Sequence, residues 1–236
     1  MRGVVAILKK ELTIYFVSPL AYVFLAVFLF LAGLFFFLGI SLTGEASLRV
    51  MVGNLAISML FLLPILTMRH FAEEQRRGTL ELLLTSPISL SSLIVGKWLA
   101  SMVLVTVMLA GTLIFPLILS WYGQPDWGIV FTSYLGLLLC ASAFCAAGLF
   151  SSSLTDDQVA SGLLGVLILL PFWLIGNAAP LVGDEWSGWV ELLSLLSHLR
   201  PFGRGVIDSA DTLWFVGVTF LFLFFTYRTI ESRRWR

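Results

Sequence analysis

The residues able to do chemistry are crowded into a few places, and the densest lies between positions 69 and 97. Arg69, His70, Glu73, Glu74, Arg76, Arg77, Glu81 and Lys97 all fall there. His70-Phe-Ala-Glu-Glu does not have the H-E-x-x-H spacing that puts two imidazoles on one zinc ion. Ser92-Leu-Ile-Val-Gly-Lys97 has the Gly-Lys of a phosphate-binding loop, but Ser91 stands where the first glycine belongs. Trp98 occupies the place of the Ser or Thr that would hold magnesium, so ATP is not bound by that route. Cys140 and Cys145, the only cysteines, are five residues apart in an apolar run and on a helix point in different directions, which suits packing rather than a bridge. Asp156 and Asp157 fall just ahead of an apolar run, where Thr155-Asp-Asp-Gln158 fits a helix capping box better than a catalytic acid pair.

These residues sit in a chain made for lipid. Of 236 residues, 59% are hydrophobic and 12% charged, where soluble domains carry about 25% charged residues. The formal net charge is zero, which argues against nucleic acid as a partner, since phosphate binding needs a basic face. Six apolar runs approach or reach the roughly 20 residues that span a bilayer as a helix. They cover about 20–42, 51–68, 98–121, 128–150, 159–181 and 212–227. The first begins only after Pro19 and lacks an A-x-A-like cleavage site, so it reads as a span and not a removable leader. Alternation of the barrel type is absent, and helices satisfy their own backbone in lipid. The expected fold is all-α, a single transmembrane domain over 1–236.

No span has a charge near its centre, which argues against an ion path and against an intramembrane enzyme. Asn54, Ser58, Pro64, Pro116, Pro171, Asn177, Ser161 and Gly165 are the mild exceptions to apolarity, and fit helix packing and kinks. Orientation follows from basic residues. Arg2, Lys9, Lys10, Arg69, Arg76, Arg77, Lys97, Arg228, Arg233, Arg234 and Arg236 fall on the side of both termini; only Arg49, Arg200 and Arg204 fall on the other. Both termini are therefore expected in the cytoplasm.

Three segments outside the spans must position the charged residues. Residues 1–18 read as an amphipathic helix in the cytoplasmic interface: Val4, Val5, Ile7, Leu8, Leu12 and Tyr15 fall mainly on one side, Lys9, Lys10 and Glu11 on the other, with Ser18-Pro19 as the bend. The cytoplasmic loop 69–97 is charged, then broken at Gly78, then leucine-rich from Thr79 to Thr85, and closed by Ser86-Pro87. A helix of two turns is not stable alone; this one must dock on the membrane surface or in a protein groove. The external segment 182–211 predicts an amphipathic helix, with Trp186, Trp189, Val190, Leu193 and Leu196 opposite Glu191, Ser194 and Ser197. It continues into an irregular stretch where Arg204 and Asp208 are spaced to pair if a helical turn forms.

Glu74-x-x-Arg77-Gly78-Thr79-x-Glu81-x-Leu83-Leu84-x-x-Ser86-Pro87, followed by Gly96-Lys97, resembles the signature of type-2 ABC exporter permeases. Arg204-Gly-Val-Ile-Asp-Ser-x-Asp211 before the last span, with Ser18-Pro19 before the first, resembles the branch associated with gliding motility and with copper-enzyme maturation of the nitrous oxide reductase type. The resemblance implies a permease subunit in the bacterial or archaeal inner membrane, coupling hydrolysis in a separate ABC ATPase subunit to export or to conformational signalling. ATP and magnesium would belong to that ATPase, with no cofactor on this chain. The implied coupling residues are Glu74, Arg77, Gly78, Thr79, Glu81, Leu83 and Pro87; the implied external cap includes Arg204, Gly205, Asp208 and Asp211. Further implied partners are the bilayer, a second copy or a related permease, and other envelope proteins. The competing reading is a membrane anchor or scaffold for an envelope complex, with the same topology and no moving cavity.

Overall fold

A computed structural model describes residues 2–43, 48–85, 88–123, 125–178 and 184–233, and among them every regular element is a helix. In chain order these are α1 (Arg2–Val17), α2 (Pro19–Thr43), α3 (Arg49–Thr67), α4 (Arg69–Arg76), α5 (Thr79–Thr85), α6 (Leu90–Thr112) and α7 (Ile114–Tyr122). There follow α8 (Trp127–Leu154), α9 (Gln158–Ala178), α10 (Asp184–Leu193), α11 (Leu195–Leu199), a 3-10 turn (Phe202–Arg204) and α12 (Ser209–Arg233). Among the described residues, six helical runs are long and apolar enough to cross a membrane: Pro19–Leu42, Arg49–Arg76, Leu90–Trp121, Trp127–Leu154, Gln158–Gly176 and Ser209–Arg233. Phe30, Phe37, Leu163, Leu167 and Phe220 stand exposed along them, a distribution that only lipid can solvate. The protein is an all-α, multi-pass membrane protein.

The six spans agree with the apolar runs, and α8 is the most enclosed of them. Its sequence explains why. Gly136, Ala141, Ala143, Ala146, Ala147 and Gly148 are all small, so neighbouring backbones come close. A Cβ on Gly148 would strike Thr67 Oγ1, and one on Gly165 of α9 would lie 2.8 Å from Pro64 Cβ. The helices α3, α8 and α9 therefore close on one another around Pro64. Cys140 and Cys145 are buried free thiols in this core. The polar groups of α3 serve their own helix: Asn54 Nδ2 donates to Val50 O at 2.9 Å, and Ser58 Oγ to Asn54 O at 3.0 Å.

Four local expectations are corrected. The third span starts at Leu90, not near Trp98, because Ser89 Oγ accepts from Ser92 N and caps the helix early. Lys97 is thereby inside α6 instead of ending a loop. The fifth span is capped by Asp157, whose Oδ1 accepts from Val159 N at 2.8 Å, while Thr155 only braces Asp157 N. The amphipathic helix expected within 182–211 is two helices broken at Ser194; that residue is buried and caps α11 instead of facing water. Glu11, expected on the polar side of α1, is buried on the same stripe as Ile7 and Tyr15. Asn177, Trp186 and Trp189 have side chains outside the described set, and Pro87 lies outside the described residues.

Candidate functional site

The ends of α4, α8 and α12 meet at one end of the bundle. Gln75 Nε2 donates to Ser152 O and Ser153 O at 3.3 Å, and Arg233 Nη2 donates to Leu154 O at 3.2 Å. Helix α1 joins them by lying along α6. Gly96 makes that possible: a Cβ there would be 2.8 Å from Ile7 Cβ and 3.2 Å from Val4 O. With the helices this close, Glu11 of α1 meets the next residue of α6, Lys97.

Lys97 is 1% exposed and makes three short contacts, to Glu11 Oε1 at 2.9 Å, Glu74 Oε1 at 2.8 Å and His70 O at 2.8 Å. Its ammonium also lies 5.2 Å from the centre of the Phe71 ring, a cation–π contact. Lys10 approaches the same Glu74 oxygen at 3.2 Å. The two ammoniums and two carboxylates balance, which a cluster removed from water requires. A neutral network continues it: His70 Nε2 sits 2.9 Å from Tyr15 Oη and 2.7 Å from Ser101 Oγ. Burial works to raise the Glu11 carboxyl, but the His70 ring and the Lys97 ammonium outweigh it and hold Glu11 well below the usual carboxylate range. Burial likewise opposes the charge on Lys10, yet Glu74 and Glu11 raise it above its ordinary value. One group is left over, since Glu74 Oε2 is buried without a hydrogen-bond partner.

Helix α5 hangs from this cluster. Arg77 pairs with Glu73 at 2.5 Å, Gly78 turns the chain at φ +67°, and Thr79 Oγ1 donates back to Glu74 O at 3.3 Å. A positive φ at Gly78 is a conformation a side chain would strain. Leu80 then buries itself against a patch containing Ile7, Phe71, Leu93, Ile94 and Ile230. Glu81 is exposed, and Leu83 is half-buried facing a cleft of about 610 Å³ with walls from α1, α4 and α6. A second cleft of about 610 Å³ runs along the other side, between Gly78, Leu80 and Glu81 and the ends of α8 and α12. Helix α5 is a ridge between two grooves.

The structure brings Glu74, Arg77, Gly78, Thr79, Glu81 and Leu83 together in this one assembly. Reading the sequence missed its centre, the pairing of Glu11 with Lys97 and the His70–Tyr15–Ser101 network. The signal was present: Ile7, Glu11 and Tyr15 fall four residues apart, so a carboxylate stands in the middle of an apolar stripe.

At the opposite end, the segment before α12 folds as a plug. Phe202 is fully buried, its carbonyl accepts from Thr132 Oγ1 at 2.8 Å, and Gly136 leaves room for its ring, since a Cβ there would be 2.7 Å from Phe202 Cβ. Gly205 turns the chain at φ +87°. The expected pairing of Arg204 with Asp208 does not form, because the chain between them turns left-handed at Gly205 and does not continue as a helix. Asp208 instead caps α12, accepting from Ala210 N at 2.9 Å. Asp211 pairs with His198 Nδ1 at 2.7 Å, and the His198 ring stacks on Trp214 at 4.6 Å.

Comparison with known proteins places this geometry. The family described as "ABC-2 family transporter protein" matches residues 5–206, which includes most of α1, the ion cluster, α5 and the 3-10 turn at Phe202–Arg204. The ABC transporter permease protein NatB of Bacillus subtilis (strain 168) is 29% identical over 158 residues. That stretch is 60% of this chain and 41% of NatB, so the chain spans well under half the length of this relative.

Proposed function

Since the chain belongs to the ABC-2 family of transporter proteins and is a membrane permease component, we propose that it works with a separate ABC ATPase subunit that docks on α5. The observation that carries this is the ridge itself: α5 stands between two grooves and is hung on a buried ion cluster joining α1, α4 and α6. Movement imposed on α5 reaches α4 through Gly78, and reaches α1 and α6 through Glu74 and Lys97. Packed, charge-balanced contacts of this kind move as units and do not bend gradually. ATP and magnesium would be held by the ATPase. The basic end is then the cytoplasmic end, consistent with the bias in Lys and Arg.

The direction of transport we propose is export. We further propose that the permease acts with a second copy of itself or a related permease in the cell membrane. The Ser18-Pro19 bend and the Arg204 to Asp211 plug support placement in the branch associated with gliding motility and copper-enzyme maturation, with Arg204, Gly205, Asp208 and Asp211 forming the outer cap. Other envelope proteins would then join the complex.

Pull-down of the ATPase, from detergent extracts matched for permease level, tests the docking. Truncating an interface anchor typically costs about 2 kcal/mol or more, roughly thirtyfold in affinity. Leu83→Ala and Glu81→Arg should each lower ATPase recovery while the spans still insert. Proline at Leu82 should lower it further by breaking α5. Recovery at the wild-type level with both Leu83→Ala and Glu81→Arg would sink the docking assignment and leave the scaffold reading in its place.

A further inference from the structure

The end of the bundle away from α5 carries few basic residues, yet they converge. Arg49 opens α3, Arg200 follows α11, and Arg204 ends the 3-10 turn, and all three line one pocket of about 250 Å³. Its floor is apolar, with Val52, Leu199 and Phe202 all buried. Gly53 also lines it, and a Cβ there would meet nothing within 4 Å, so the pocket is open beside α3.

Arg49 is the first residue of a span, which sets the rim at the level of lipid headgroups. Gly53 lies four residues further along α3, about 6 Å deeper toward the hydrocarbon. The pocket thus passes from three guanidiniums to an apolar floor over the depth at which a phospholipid passes from phosphate to acyl chain. Guanidiniums suit phosphate because their N–H groups bind its oxygens in pairs. The volume, about eight water molecules, admits a headgroup phosphate and the first carbons below it but not a whole lipid.

We propose that Arg49, Arg200 and Arg204 form a binding site for the headgroup of an anionic phospholipid, whose first carbons lie on Val52, Leu199 and Phe202. The site tethers the plug to the leaflet at that end. It rests on the six spans and not on docking of an ATPase.

The test uses the purified full chain in neutral detergent, titrated with phosphatidylglycerol or phosphatidylcholine and read by native mass spectrometry, with glycerol phosphate as a soluble competitor. Phosphatidylglycerol should bind at least tenfold tighter than phosphatidylcholine. The double variant Arg200→Gln/Arg204→Gln should lose that preference, and Gly53→Leu should weaken binding by filling the pocket with every arginine in place. The arginines are exposed and Gly53 faces open space, so equal thermal melting in detergent should verify that both variants fold. Equal binding of the two lipids, or wild-type phosphatidylglycerol binding in either variant, overturns the site. Glycerol phosphate binding as tightly as phosphatidylglycerol overturns the lipid and leaves a site for free phosphate.

Discussion

Lys97 decides more than any other single residue. It is buried with two carboxylates in reach, and removing one partner of a buried pair typically costs about 3–5 kcal/mol because the other charge is stranded. Glu11→Gln and Lys97→Met should each lower thermal stability in detergent by that order. The double variant Glu11→Leu/Lys97→Met should recover much of the loss in Tm yet not restore ATPase stimulation by the complex. Equal stability of Glu11→Gln and wild type would show that the cluster does not hold α1. Acid offers a second check. The Glu11 carboxyl is held below its ordinary value in the folded protein, so its contribution is fully present above the unfolded value of about 4.3 and is lost as pH falls through the folded one. The gap in Tm between wild type and Glu11→Gln should stay constant from about pH 8 to about pH 5 and close only in stronger acid.

Among the elements, α1 is attached by close packing as much as by charge. Gly96→Val would drive a branched side chain into Ile7 and the backbone at Val4. It should lift α1 from α6 and expose positions 7 and 11 to water-soluble thiol reagents after substitution with cysteine, while α6 still spans. Protection as in wild type would mean that α1 is held elsewhere. At this scale the sequence was partly legible. The six spans and the α5 helix could be read because length, apolarity and the Gly78 break are local signals. Glu11 could not be placed, since its burial depends on Lys97, 86 residues away, and local polarity assigns a carboxylate to water. Ser194 misled for the same reason: its hydroxyl is spent on Ser197 N at 3.0 Å, so it can be buried where polarity predicts exposure. Asp208 and Arg204 failed as a pair because Gly205 takes a left-handed turn between them.

For the whole molecule, sidedness is the property on which the functional reading depends. Single cysteines on a background lacking Cys140 and Cys145 should label at Arg76 only from the cytoplasm, and at Arg204 only from outside. Both positions are exposed. Labelling of position 76 from outside would invert the molecule and with it the docking of an ATPase on α5.

The tie between Glu11 and Lys97 also sets an order of events during synthesis. Helix α1 leaves the ribosome ahead of α6, and the partner of Glu11 is 86 residues behind it. Until the third span is threaded, α1 can only wait at the surface of the bilayer, held by its apolar stripe and by its lysines near anionic headgroups. When α6 arrives, its lysine can pair at once with Glu74 of α4, and its second carboxylate, Glu11, joins only when α1 swings onto it. A chain whose α1 is delayed therefore holds Lys97 by Glu74 alone, with the side meant for Glu11 left open. Docking of α1 thus follows the arrival of α6, and the cleft beside α5 that α1 helps to wall is complete only then.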